Sequence, residues 1–250
     1  VPPSVVSRAQ PDGYTLLAGN INSMSLMPLL NAAKLKYDIS EKLIPIIYVN
    51  HVPAIFAATS SVPNTLPGFV DYVRKNPGKV NYGATAVGAY NHLDMLMLSK
   101  VAGLKMEPVV TPTVASAATS LLNGDMQALL MTAQATIPLL QDGKIRALAV
   151  TGDKRLAALP NVPTMAEAGY PGIGSNVWQG LYAPAGTPKV VVDKIFQAMT
   201  KVLAVKSVQD ALSSRGFVQQ PSTSPEDFAA FMKKDMAKWA SVIRENKLDN

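Results

Sequence analysis

Apolar positions along the chain follow two periods. Short apolar runs alternate with stretches in which apolar residues recur every three or four positions, and Pro/Gly punctuation separates them. Residues 14–18, after the turn Pro11-Asp12-Gly13, read as a strand. So do residues 44–49, 54–58, 80–82, 107–110, 126–131, 145–151 and 177–183. Helical patterns lie between them. One is opened by Thr65, carries Phe69, Val70 and Val73, and stops at Asn76-Pro77-Gly78; a second runs through His92 to Val101 and ends at Gly103. Residues 115–122 stop at Asn123-Gly124, and residues 137–140 precede Gly143. This alternation predicts an α/β fold on parallel sheet with helices on both faces. Beyond residue 184 the chain turns helical. Thr187-Pro188 reads as an N-cap and N1 pair for a helix with Ile195, Phe196, Met199, Val202 and Leu203 on one face. Ser224-Pro225-Glu226-Asp227 resembles a capping box, and from it Phe228, Phe231, Met232, Trp239, Val242 and Ile243 form one stripe. These Met and aromatic stripes read as core.

Composition narrows the function classes. With 48% hydrophobic and 16% charged residues in 250, the chain has ample material for a core, in one large or two modest domains. There is no cysteine, so disulfides and Cys-based metal or nucleophilic sites are excluded, and two histidines leave little room for a His-rich metal site. No apolar run approaches the roughly 18 residues that cross a bilayer. The chain starts at Val1 with neither a basic segment nor an apolar leader, as expected of a mature form whose export signal has been removed. The net charge of +6 is dispersed; its densest spots, Lys233-Lys234 and Lys34 with Lys36, lack interleaved aromatics, which argues for a solvated surface and against nucleic acid. No nucleophile elbow, phosphate-binding loop or dinucleotide fingerprint is present. Asp71, Asp94, Asp125 and Glu167 form no acid/base pair by spacing and are expected on the surface. No enzyme, cofactor or metal is therefore indicated.

One constellation points to a ligand. Residues 82–93, Tyr-Gly-Ala-Thr-Ala-Val-Gly-Ala-Tyr-Asn-His-Leu, form a strand end, a small-residue loop and a helix start. Small residues permit close backbone approach, and the first N–H groups of a helix suit a carboxylate or phosphate. Strand carboxyl ends are also where ligands lie in open α/β sheets. The competing reading is a plain tight turn, with His92 a structural residue hydrogen-bonded to nearby backbone.

Several motifs run in order along the whole chain: Pro11-Asp12-Gly13-Tyr14-Thr15-Leu16-Leu17; Asn76-Pro77-Gly78-Lys79-Val80-Asn81-Tyr82-Gly83; His92-Leu93; Leu121-Leu122-Asn123-Gly124. Residues 143–150, 159–169 and 178–188, then Pro225-Glu226-Asp227-Phe228 and Trp239, continue the series. In these the chain resembles the periplasmic solute-binding receptors of tripartite tricarboxylate transporters, the Bug family. The resemblance implies a two-domain, type II periplasmic-binding-protein-like α/β fold with crossing hinge strands, closing on a small organic acid. It implies no catalysis, and delivery to membrane permease subunits. The expected domains are residues 1–58 with 181–250, and 59–180, crossing at residues 54–58 and 177–182.

The departures are equally specific. Family members start with about 45 more residues, holding a first strand and a Pro-Phe-x-x-Gly-Gly loop that walls the pocket. Where the family has Gly-Ser-x-Gly-x-Gly, this chain has Ala84 at the Ser position and Ala86 at the middle Gly, with Thr85 between them. The Pro-Tyr-x-Gly segment appears as Val110-Thr111-Pro112-Thr113, and an acidic strand-end position as Met131. The expected ligand-binding residues are Asn20, Asn22 and Ser23 from the first domain, and Gly83, Ala84, Thr85, Ala86, Val87, Gly88, Ala89, His92 and Met131 from the second. The expected ligand is a dicarboxylate or aromatic carboxylate without an amine, because a desolvated ammonium needs an acidic or carbonyl partner. The alternative is a ligand-independent scaffold or sensor-interaction protein with a decayed pocket.

Overall fold

The computed structural model describes residues 3–32, 39–141 and 143–248; Lys34 and Lys36 lie outside them. Nine strands occur among the described residues: β1 (Leu17–Asn20), β2 (Leu43–Val52), β3 (Ala54–Thr59), β4 (Asn81–Ala84), β5 (Glu107–Val110), β6 (Ala128–Thr132), β7 (Ile145–Val150), β8 (Val177–Pro184) and β9 (Val218–Gln219). The chain divides into two compact units, Val1–His51 with Val177–Asn250, and Val52–Asn176. The divisions fall at 51/52 and 176/177 instead of 58/59 and 180/181. The reason is that β3 is fully committed to the second unit's sheet, pairing with β6 on one side and β7 on the other.

The first unit holds a four-stranded sheet in the order β1-β8-β2-β9, with β1 antiparallel to β8 and β2 antiparallel to β9. The helix Lys189–Leu203 packs on it. Val192 and Leu203 are buried against Ile46, Ile47 and Ala183, with Ile195, Phe196 and Met199 around them. Val202 points out and is largely exposed, so the expected stripe is narrower by one residue. The helix Pro225–Glu245 starts where expected, since Ser224 Oγ accepts from Asp227 N at 3.1 Å. Its buried face carries Phe228, Met232, Trp239, Val242 and Ile243. Phe228 lies against Trp178 and Tyr182, and a Cβ at Gly180 would run into its ring, which is why that strand position is glycine.

The second unit holds a five-stranded sheet in the order β5-β4-β6-β3-β7. It is mixed, not parallel. β4 runs parallel to β5 and β6, whereas β3 runs antiparallel to β6 and β7. The helix Leu66–Lys75 is capped by Thr65, whose Oγ1 accepts from Gly68 N at 3.2 Å, and buries Leu66, Phe69, Val70 and Val73. The helix Tyr90–Ala102 follows β4 and ends at Gly103, whose φ of 65° closes the last turn. Helix Val114–Asn123 is fixed by a reciprocal Thr113–Ser116 box.

Three local expectations are corrected. The first strand begins at Leu17 and not at residue 14, because Asp12 Oδ1 accepts from Tyr14 N at 3.0 Å and prolongs the turn. Thr187 does not cap the following helix; its hydroxyl donates to Pro184 O at 2.8 Å and Pro188 takes the cap position. Asp94 is fully buried, not surface-exposed.

Candidate functional site

The loop between β4 and helix Tyr90–Ala102 is organised by its own side chains. The cap residue, Ala89, offers no side-chain acceptor. Asn91 supplies one from inside the first turn. Its Oδ1 accepts from Thr85 N at 3.3 Å, Thr85 Oγ1 at 3.2 Å and His92 N at 3.1 Å. His92 Nδ1 accepts from Gly88 N at 3.1 Å. Gly88 has a φ of 80°, a conformation that favours glycine. Ala89 N donates to Ala86 O at 3.2 Å, and Leu93 N to Ala89 O at 3.0 Å.

The N–H groups of Ala86 and Val87 have no partner among the described residues, and both residues are exposed. They are the loop's open donors. The Gly88 N–H, by contrast, is committed to His92, which makes His92 a structural acceptor for the loop. Its acceptance at Nδ1 places the proton of the neutral ring on Nε2. The ring stacks on Tyr82, centroids 6.1 Å apart and 21° between planes. Burial holds the His92 pKa below its ordinary value. Burial, and secondarily the charge of Glu107, push the Tyr82 hydroxyl up to about 12. Tyr90 is raised further by burial and by Asp94, against a hydrogen bond with the Thr132 backbone.

The remaining expected residues are placed as follows. Gly83 and Ala84 lie within β4 and are buried; a Cβ at Gly83 would approach Met126 Sδ to 2.6 Å, so the glycine serves packing under the sheet. Met131 pairs with Ile55 in the sheet and is buried in the apolar core of the second unit, where it packs and presents no side chain to solvent. In the first unit, Gly19 and Asn20 end β1, and Asn22 and Ser23 open a π-helical turn, Asn22–Leu26. Asn20 and Ser23 satisfy each other: Asn20 N donates to Ser23 Oγ at 3.0 Å and Ser23 N to Asn20 Oδ1 at 3.1 Å. Their polar groups brace the turn.

Two residues that organise the helix behind this loop were not among the expected site residues. Asn91 organises the loop, and an Asn two residues into a helix that lacks a polar cap residue was the available signal. Asp94 receives Ser175 N at 2.8 Å and Ser175 Oγ at 2.9 Å, fastening the same helix to the chain just before β8.

The structure thus combines a two-sheet α/β fold with exposed backbone donors at a strand-to-helix loop, a form compatible with the class of solute-binding proteins. The chain belongs to the TctC family, tripartite tricarboxylate transporter family receptors, whose profile matches residues 1–248. These are receptors and not enzymes. Among curated relatives, BugT of Bordetella pertussis is 27% identical over 242 residues, covering 96% of this chain and 73% of that protein. Among solved structures, R. palustris Rpa4515 with adipate superposes with a TM-score of 0.85 at 29% identity, covering 96% of this chain and 80% of that one. MatC from Rhodopseudomonas palustris with bound malate gives 0.79 at 25% identity, covering 96% and 82%. Both share the two-domain α/β fold.

Proposed function

We propose that this chain is the periplasmic receptor of a tripartite tricarboxylate-type transporter, and that it captures a small organic carboxylate lacking an amine for delivery to membrane permease subunits. The observation that carries the reading is the pair of open N–H donors at Ala86 and Val87, in the loop just before Ala89, the cap residue of a helix whose N-terminal dipole favours an anion. Hydrogen bonds from N–H to a carboxylate are charge-assisted and stronger than neutral ones, about 1.5–3 kcal/mol each. The adipate and malate bound to the two R. palustris proteins are acids without an amine. The composition of the loop supports the same selectivity: residues 84–92 include no acid, and Asp94, the nearest in sequence, is buried and engaged by Ser175. An ammonium would therefore find no anionic partner within the loop itself.

A second reading, a ligand-independent scaffold, draws on the loop's internal saturation by Asn91 and His92. One experiment separates them. In a thermal-shift titration with succinate, malate, adipate and benzoate, a binder gains stability saturably, by about 2.7 kcal/mol at a hundredfold excess over Kd. A midpoint indifferent to every acid removes the capture reading and leaves the scaffold. Tighter binding of aspartate than of succinate removes the amine-free selectivity.

A further inference from the structure

Three donors converge on a single carboxamide oxygen at the head of helix Tyr90–Ala102: Thr85 N, Thr85 Oγ1 and His92 N all point at Asn91 Oδ1, at 3.1–3.3 Å. A carboxamide oxygen has two lone pairs; the His92 N distance of 3.1 Å is at the long end of the normal range, and the Thr85 N and Oγ1 distances of 3.3 and 3.2 Å are slightly beyond it. A carboxylate, with about four lone-pair positions and a full charge, suits such a set of donors better. The amide orientation is assigned from the two backbone donors, Thr85 N and His92 N, at which a flipped amide would aim its NH2 group. The consequence is visible at the other end of the amide. Asn91 is 0% exposed and its Nδ2 is buried with no partner among the described residues.

A second residue with an unpartnered buried polar atom is joined to the same peptide group through its backbone. Thr111 N donates to Ala84 O at 2.8 Å, while Asn91 takes the N–H of the adjoining Thr85. Thr111 and Asn91 thus bracket the Ala84–Thr85 peptide from its two edges. The Thr111 hydroxyl, in a residue only 5% exposed, also has no partner. Buried polar groups are nearly always satisfied, so two exceptions flanking one peptide call for a specific account.

We propose that the Asn91 carboxamide oxygen fills the position that a carboxylate oxygen takes at this loop, so that Asn91 is an internal competitor of the ligand and the residue that sets its affinity. The inference rests on the reading of loop 84–92 as the carboxylate site. On binding, a ligand oxygen takes over the Thr85 and His92 donors, and the displaced amide turns its unpaired Nδ2 toward the second carboxylate oxygen. Affinity is then the difference between two competing acceptors for the same donors, which keeps it lower than the donor set alone would allow.

The test replaces the competitor and offers a minimal substitute. Asn91→Ala is expected to melt lower than wild type, to recover most of that loss saturably on addition of sodium formate, and to bind succinate about tenfold more tightly. Wild type should respond to formate far less. Asn91→Asp keeps an acceptor for all three donors; it should fold, ignore formate and bind succinate at least about tenfold more weakly through like-charge repulsion. Should Asn91→Ala not fold, Asn91→Ser gives the same readouts with a shorter side chain. A purely structural cap makes the opposite forecast: Asn91→Ala would be destabilised, blind to formate and weaker for succinate, and that result overturns the inference. Because formate is not the transported solute, the two proposals fail separately. Formate rescue of Asn91→Ala in a protein that binds none of the larger acids upholds this inference and removes the transport reading. Acid binding by wild type without formate rescue does the reverse.

Discussion

His92 and Asn91 are neighbours in sequence, and both turn their side chains back onto the loop that precedes them. They differ in what protons do to them. His92 must stay neutral at Nδ1 to accept from Gly88 N, and burial lowers its pKa. The unfolded chain takes up this proton near pH 6.5, the folded chain only at lower pH. Between those values the unfolded state binds more protons, so stability is complete above about pH 6.5 and falls as pH drops through the window. Urea midpoints at pH 5, 6 and 7 should therefore decline toward acid, and His92→Gln should flatten the decline. An unaltered slope in His92→Gln would assign the acid sensitivity to another group. Gly88 carries a related constraint. Its φ of 80° and its committed N–H mean that a side chain there strains the loop before it touches any ligand.

At the scale of elements, Asp235 shows how separate pieces of the first unit are joined. It projects from helix Pro225–Glu245 and accepts from Ser25 Oγ at 2.6 Å, Trp178 Nε1 at 3.2 Å and Trp239 Nε1 at 3.2 Å. One carboxyl thus ties the π-helical turn, β8 and the C-terminal helix together. Burial raises its pKa despite the three donors. Asp235→Ala strands three buried donors and is expected to cost about 2–4 kcal/mol, measured by urea denaturation. Since Trp178 and Trp239 are the chain's two tryptophans, the same variant should red-shift the native emission; a loss near zero with unshifted emission would make the contacts incidental. None of this was legible beforehand, because it joins residues some 210 positions apart. What was legible is local. Thr65, Ser224, Gly103 and Gly124 announced helix ends, and runs of β-branched residues announced strands, since caps and periodicity act within a few residues. Sheet direction was not, as β3 shows: a short apolar run looks the same whichever way its neighbours run. The loop at residues 84–89 was legible as a small-residue turn between a strand and a helix. Its internal saturation was not, because that depends on where the Asn91 side chain folds back.

Across the whole molecule, the net charge of +6 suggests attraction for acids, but its distribution assigns that attraction a limited part. The second unit, which carries the loop, has nine basic and seven acidic residues in its sequence, so most of the excess belongs to the first unit. Among the described residues, no Lys or Arg is hydrogen-bonded to the loop; its donors are backbone N–H groups and the Thr85 hydroxyl. Contacts of about 3 Å lie well inside a Debye length of roughly 10 Å at 0.1 M salt and are hardly screened, whereas attraction from charges farther away is. Salt should therefore slow association of succinate modestly and leave its dissociation rate unchanged, as expected when remote charges steer and contact donors hold. Affinity between about 20 and 300 mM sodium chloride should change by less than about threefold. Stopped-flow traces at several salt concentrations measure both rates. A steep fall in affinity, or a dissociation rate that rises with salt, would mean that a lysine or arginine grips the acid directly, and the backbone account of capture would have to be abandoned.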